Sequence, residues 1–192
     1  SATCLMAGIY PNAAACICFI TTVSIHNRNP FILDSGDVAR RYFCLLLIFA
    51  PLSTQWAAQG WPWPLMLIRL FVANIYAKNV LFKLYGKSWR DGSATNFVFN
   101  TRLWNRFQLP PSLQKKWMYQ LTTYGTLFIE TSLFTLIWID ELRPYIIIAG
   151  IIFHLLIWLM LRIGLFQLTM IAALLAFVAD EEYMRLLAML LR

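Results

Sequence analysis

Six apolar runs divide the chain, at residues 2–24, 42–58, 61–85, 117–139, 145–161 and 163–179. Each approaches the ~20 residues that a helix needs to cross a hydrocarbon core, so the pattern predicts an all-α, polytopic membrane helix bundle with about six transmembrane helices. Pro11 lies inside the first run, where a membrane helix tolerates it if neighbours satisfy the freed carbonyl. The second run is the weakest, because Pro51, Ser53, Thr54 and Gln55 cut its apolar part short and allow a short or re-entrant segment. Only Arg162, Ile163 and Gly164 separate the last two runs, which form either a tight hairpin or one long broken helix.

Between the runs the cations alternate. Arg28, Arg40 and Arg41 lie in the first loop, Lys87, Arg90, Arg102, Arg106, Lys115 and Lys116 in the long loop 86–116, and Arg162 in the last turn. The intervening connections hold Trp61-Pro62-Trp63-Pro64 and Asp140-Glu141-Leu142-Arg143, and the tail opens on Asp180-Glu181-Glu182. Lys and Arg are retained on the cytoplasmic side, which places the basic loops there. Residues 180–192 place acids in a first turn before Leu186, Leu187, Leu190 and Leu191, the pattern of a short C-terminal interfacial helix. Residues 1–192 read as a single transmembrane domain. The chain opens on Ser1 and enters an apolar run at once, which predicts that N-terminal helices precede it and that no basic cleavable leader is present.

Composition agrees with the pattern: 60% of residues are apolar and 13% charged, against roughly 45–50% and 25% in soluble domains. The net charge of +7 then belongs to cytoplasmic loops, and no nucleic-acid partner is implied. Cys4, Cys16, Cys18 and Cys44 sit in apolar context. The thiols of Cys16 and Cys18 point about 200° apart on a helix of ~3.6 residues per turn, so no metal site is expected.

Charges inside the runs are the candidate chemistry, because each costs ~2.5–3.5 kcal/mol at mid-bilayer unless it has a partner or a task. Arg69 lies eight residues into its run, roughly 12 Å deep at ~1.5 Å per residue. Tyr76 and Lys83 follow at heptad spacing on the same face. In the fourth run Glu130 shares a face with Tyr119, Thr123 and Thr126, and His154 lies near the middle of the fifth with Trp158 one turn on. Similar depth on three helices suggests an intramembrane polar network of Arg69, Tyr76, Glu130 and His154. It serves either packing and register or chemistry.

The run Tyr76-Ala-Lys-Asn-Val-Leu-Phe-Lys83-Leu-Tyr-Gly-Lys-Ser-Trp89-Arg-Asp-Gly92-Ser-Ala resembles the signature of the horizontally transferred transmembrane (HTTM) domain, the membrane half of vitamin K-dependent gamma-carboxylases. His26-Asn-Arg28-Asn29-Pro30 with Gly36-Asp37, and Phe153-His154 with Ile163-Gly164-Leu-Phe166 and Met170, agree in the same order. The resemblance implies a role for Lys83 as the base toward a reduced quinone or vitamin K-like hydroquinone, assisted by Glu130 and His154, with Trp89 and Gly92 near the cofactor and a peptide substrate. A lysine base must be neutral, so desolvation or nearby cations have to favour that form. The family's carboxylases carry a histidine between the second and third spans, and residues 55–64 contain none. Two readings follow: a noncatalytic accessory subunit of a larger membrane complex, partnered by the bilayer and other membrane subunits, or a membrane enzyme or peptide-maturation factor using Lys83. A small transporter is a third, supported by the polar stripes alone.

Overall fold

The structure is a computed structural model that describes residues 2–28, 35–50, 63–107 and 109–178. Among these residues the chain forms nine α-helices and no strand: α1 (Ala2–Met6), α2 (Pro11–Arg28), α3 (Ser35–Phe49), α4 (Trp63–Tyr85), α5 (Lys87–Arg90), α6 (Ala94–Asn100), α7 (Lys116–Thr135), α8 (Arg143–Met160) and α9 (Phe166–Leu174). The latter part of the second apolar run, the Trp61-Pro62 pair, the Asn29-Pro30 step and the expected tail helix at 180–192 lie outside the described residues. Contacts divide the chain into two compact units, Ser1–Phe71 and Val72–Arg192.

In the first unit, the opening apolar run is not one helix. Gly8 and Tyr10 take left-handed backbone angles, with φ of 69° and 44°, and α2 starts afresh at Pro11. A proline at the first helical position forfeits no hydrogen bond, because that N–H is unpaired in any helix. Pro11 therefore begins a helix instead of interrupting one. Buried Ala14, Ala15 and Ala39 let α2 and α3 approach closely. Asn12 Nδ2 donates to the carbonyls of Ile48 and Ala50 at 2.8 Å each, satisfying acceptors that the end of α3 leaves open.

At the other end of that pair, Arg41 Nε donates to His26 Nδ1 at 2.7 Å. The ring hydrogen is thus on Nε2, which faces Asp37 Oδ1 at 3.3 Å. Arg40 also pairs with Asp37. The polar His26 and Gly36-Asp37 stretches are in this way a clamp between α2 and α3.

The second unit is built on α7, α8 and α9. α7 passes into a 3₁₀ turn at Leu136–Trp138, and α9 into another at Leu175–Phe177. Leu133, Ile137, Ile147, Phe153, Met170, Leu174 and Phe177 are buried there. α8 ends at Met160 and packs against α9, while Gly164 turns the chain with φ of 36°; of the two arrangements open to the last two runs, the structure takes the hairpin.

Gly150 marks the crossing. A Cβ there would stand 2.8 Å from Leu133 Cδ2 and 2.8 Å from Leu174 Cδ1, and both leucines are fully buried. Neither can swing away cheaply in a close-packed interior. Gly150→Val is expected to destabilise the unit by about 1–3 kcal/mol, measured as a shifted unfolding midpoint in a denaturing-detergent titration.

Two helices among the described residues, Trp63–Tyr85 and Arg143–Met160, are long and apolar enough to cross a membrane, and Phe166–Phe177 is a shorter apolar helix. Each expected run contains helix in its described part, but six crossings are not established. The reasons are local. The first run breaks at Gly8–Tyr10, α3 ends at Phe49, the polar stripe of α7 lowers its hydropathy, and the Gly164 turn shortens the last helix.

The long basic loop carries structure of its own. Beyond α5 and α6 it reaches the α8–α9 turn, where Arg106 N donates to Met160 O at 2.9 Å and Arg162 N to Trp104 O at 2.8 Å, around an Asn105–Leu161 bridge. The loop and the last turn therefore meet at one end of the unit.

Candidate functional site

Tyr76 and Lys83 lie on one face of α4, seven residues apart, and both turn toward the second unit's interior. Tyr76 is 1% exposed. Opposite them, the stripe of α7 faces inward as its spacing predicts: Tyr119, Thr123 and Glu130 are buried. Part of the stripe is used structurally. Thr95, at the start of α6, donates through Oγ1 to Tyr119 O at 2.8 Å, and its backbone N–H donates to Thr123 Oγ1 at 3.2 Å.

Glu130 is the polar centre. Lys83 Nζ donates to both of its carboxylate oxygens. The side chain of Glu130 is 7% exposed and that of Lys83 is 21% exposed, so the carboxylate is the buried partner and the ammonium keeps an edge open. Trp89 lies beside it, with Nζ 4.7 Å from the ring centroid, a distance at which an aromatic face attracts a cation. Arg69, grouped with these residues by its depth in the run, belongs to the first unit, and Glu130 engages the lysine two heptads further along α4. Side chains on a helix lean toward its N-terminus, so a lysine near the end of α4 reaches back to a level that Cα positions alone would deny it.

His154 anchors a second chain of bonds. Tyr76 Oη lies 2.7 Å from His154 Nε2, and His154 Nδ1 meets the side-chain oxygen of Gln167 on α9. An amide oxygen only accepts, so Nδ1 donates to Gln167, and Nε2 shares the second bond with the tyrosine hydroxyl. All three residues are buried. Lys83 and Tyr76 stand on the same face of α4, so the ion pair and the Tyr76–His154–Gln167 chain both start from that face and reach α7, α8 and α9.

Trp89 and Gly92 hold the turn after α4. Gly92 has φ of 78°, and a Cβ on it would come within 2.9 Å of Gln120 Cγ and 3.1 Å of Tyr124 on α7. Glycine satisfies both demands, the left-handed backbone and the close approach. Tyr124 Oη closes the contact by donating to Arg90 O at 3.0 Å. Within the same turn, the Ser93 hydroxyl and backbone N–H both donate to Asp91, and these bonds hold its carboxyl below the usual carboxylate range. Packing against α7 thus gives Gly92 a structural role.

Gln167 is the site residue that the sequence reading passed over. A lone amide in an otherwise apolar helix was its signal, since an unpaired amide in an apolar interior costs several kcal/mol. Thr95 was missed because the loop carries many polar residues and only packing distinguishes it. Among the described residues no cluster of three or more His, Cys, Asp or Glu is placed to hold a metal.

A family model described as the HTTM domain matches residues 38–181, well over half of the chain. No curated protein and no solved structure matches it.

Proposed function

Because this chain belongs to the HTTM domain family, we propose that it is a multi-pass protein of the bacterial inner membrane, with its basic loops cytoplasmic, serving as a noncatalytic accessory subunit of a larger membrane complex. The observation that carries this reading is the closure of the polar site. Both oxygens of Glu130 are engaged by Lys83, and both ring nitrogens of His154 by Tyr76 and Gln167. Buried polar groups that satisfy one another fix the register between helices, and such pairing needs no substrate to complete it. Pairing with Glu130 engages the Lys83 amine in a contact that a base would have to leave in order to take a proton from a substrate.

The catalytic reading has its own support. Lys83 is partly exposed and lies against Trp89, and the family resemblance assigns the lysine of this motif to deprotonation of a hydroquinone. Lys83→Arg separates the two. Arginine keeps the positive charge and the bidentate pairing to Glu130 but does not give up its proton. An accessory subunit is expected to keep its partner complex and function in the arginine variant, with unaltered peptides in mass spectra of the purified assembly. An enzyme is expected to copurify with a quinone and a carboxylated or otherwise modified glutamate peptide, and to lose that modification in Lys83→Arg. A modified peptide that disappears in the variant would overturn the accessory reading.

A further inference from the structure

Two cavities open where the loop after α6 meets the α8–α9 turn. One, of about 680 Å³, is lined by Arg102, Arg106 and Arg162 with Asn100, Asn105 and Gln114 among its polar neighbours. The other, of about 300 Å³, is bounded by Leu159 and Met160 at the end of α8. Phe99, Asn105, Phe107 and Leu109 line both, so the two adjoin.

The arginines converge because the backbone holds them together. Arg106 and Arg162 are locked by the backbone bonds to Met160 and Trp104. Arg106 Nε donates to Leu161 O at 3.1 Å, and its guanidinium carbon lies 5.6 Å from the Trp158 ring centroid. That leaves the terminal nitrogens of the guanidinium for another acceptor. Among the described residues no carboxylate supplies one: no Asp or Glu lines either cavity, and the sequence has none between Asp91 and Glu130 or between Glu141 and Asp180. Elsewhere in the chain Arg40 and Arg143 pair with Asp37 and Asp140. Three like charges around one space repel one another, and an anion placed among them relieves that repulsion.

The shape narrows the chemistry. Guanidinium forks match the oxygens of a phosphate, and the apolar annex lies at the end of α8, one of the helices able to cross the membrane. A basic pocket at the end of a spanning helix stands at headgroup level. We propose that the Arg102–Arg106–Arg162 cavity and its annex bind an anionic phospholipid, its phosphate against the arginines and the first part of its acyl chain over Leu159 and Met160. The site is distinct from the Lys83–Glu130 pair and does not depend on whether that pair is catalytic.

The test uses the full chain in nanodiscs of phosphatidylcholine with a titrated fraction of phosphatidylglycerol, with retained lipid read by native mass spectrometry. Replacing all three arginines by glutamine is expected to weaken phosphatidylglycerol retention by about tenfold or more. The control K87Q/K115Q/K116Q removes the same charge from the same loop region outside the cavity and should change it far less. Leu159→Trp fills the annex and should weaken the lipid while leaving inorganic phosphate unaffected. Should the triple arginine variant fail to fold, Arg102→Gln alone leaves the backbone bonds to α8 in place and is expected to lower retention several-fold. Equal losses in the arginine and lysine triples would mean general surface attraction and overturn the proposal, as would equal retention of phosphatidylcholine. Displacement of the lipid by an equal concentration of inorganic phosphate, with no effect of Leu159→Trp, would assign the cavity to free phosphate and also overturn it.

Discussion

Lys83→Met is expected to destabilise the second unit by roughly 3–5 kcal/mol, the range found when one partner of a buried ion pair is removed. The size follows from which charge is left behind. Glu130 is 5% exposed, and without Lys83 its carboxylate has no cation to offset the loss of water. Glu130→Leu should cost less, because the lysine left behind is partly exposed and can extend its ammonium toward the interface on its long stem. The double variant Lys83→Met/Glu130→Leu removes both charges and should recover most of the loss, since buried pairs replaced by apolar residues are often neutral in stability. Unfolding midpoints of the four proteins in a denaturing-detergent titration give the double-mutant cycle. Equal losses from the two single variants, or a double variant as weak as Lys83→Met, would show that the pair is not the buried, mutually dependent unit described above.

The second large effect is expected at His154. His154→Leu roughly keeps the side chain's bulk but strands two buried groups, the Tyr76 hydroxyl and the Gln167 amide oxygen. An orphaned buried polar group costs about 1–3 kcal/mol, so the sum is about 2–4 kcal/mol after some relaxation. Typical hydrogen bonds between membrane helices contribute only ~0.6 kcal/mol, so a loss above ~2 kcal/mol would identify desolvated orphans as the cause. Adding Gln167→Leu to His154→Leu removes one orphan and should return part of the stability. The same double substitution should be additive if the two residues did not touch. Hydrogen exchange at the α8–α9 contact provides an independent reading of the loss.

Much of the candidate site was legible from spacing. Seven-residue steps along α4 placed Tyr76 and Lys83 on one face, and the same arithmetic turned Tyr119, Thr123 and Glu130 inward on α7; the buried positions agree. His154 was marked by its place in a long apolar run. The HTTM resemblance, carried by the Lys83 to Gly92 stretch, agrees with the family match over residues 38–181. Pro11 misled, because a proline in an apolar run reads the same whether it kinks a helix or starts one, and only the left-handed backbone at Gly8 and Tyr10 decides. Depth counted along separate helices did not reveal that the Glu130 carboxylate meets Lys83.

The sequence by itself determined where most of the helical segments lie, their apolar character and the faces on which their polar residues lie. These are local properties, set by a 3.6-residue period and by residue type within each segment. Tertiary structure alone decided the partners: Lys83 for Glu130, Gln167 for His154, Thr95 for Thr123, and three arginines from two distant segments around one cavity. Pairing depends on how far each helix is rotated and shifted against its neighbours and on how far a side chain reaches. No single helix's periodicity contains that information.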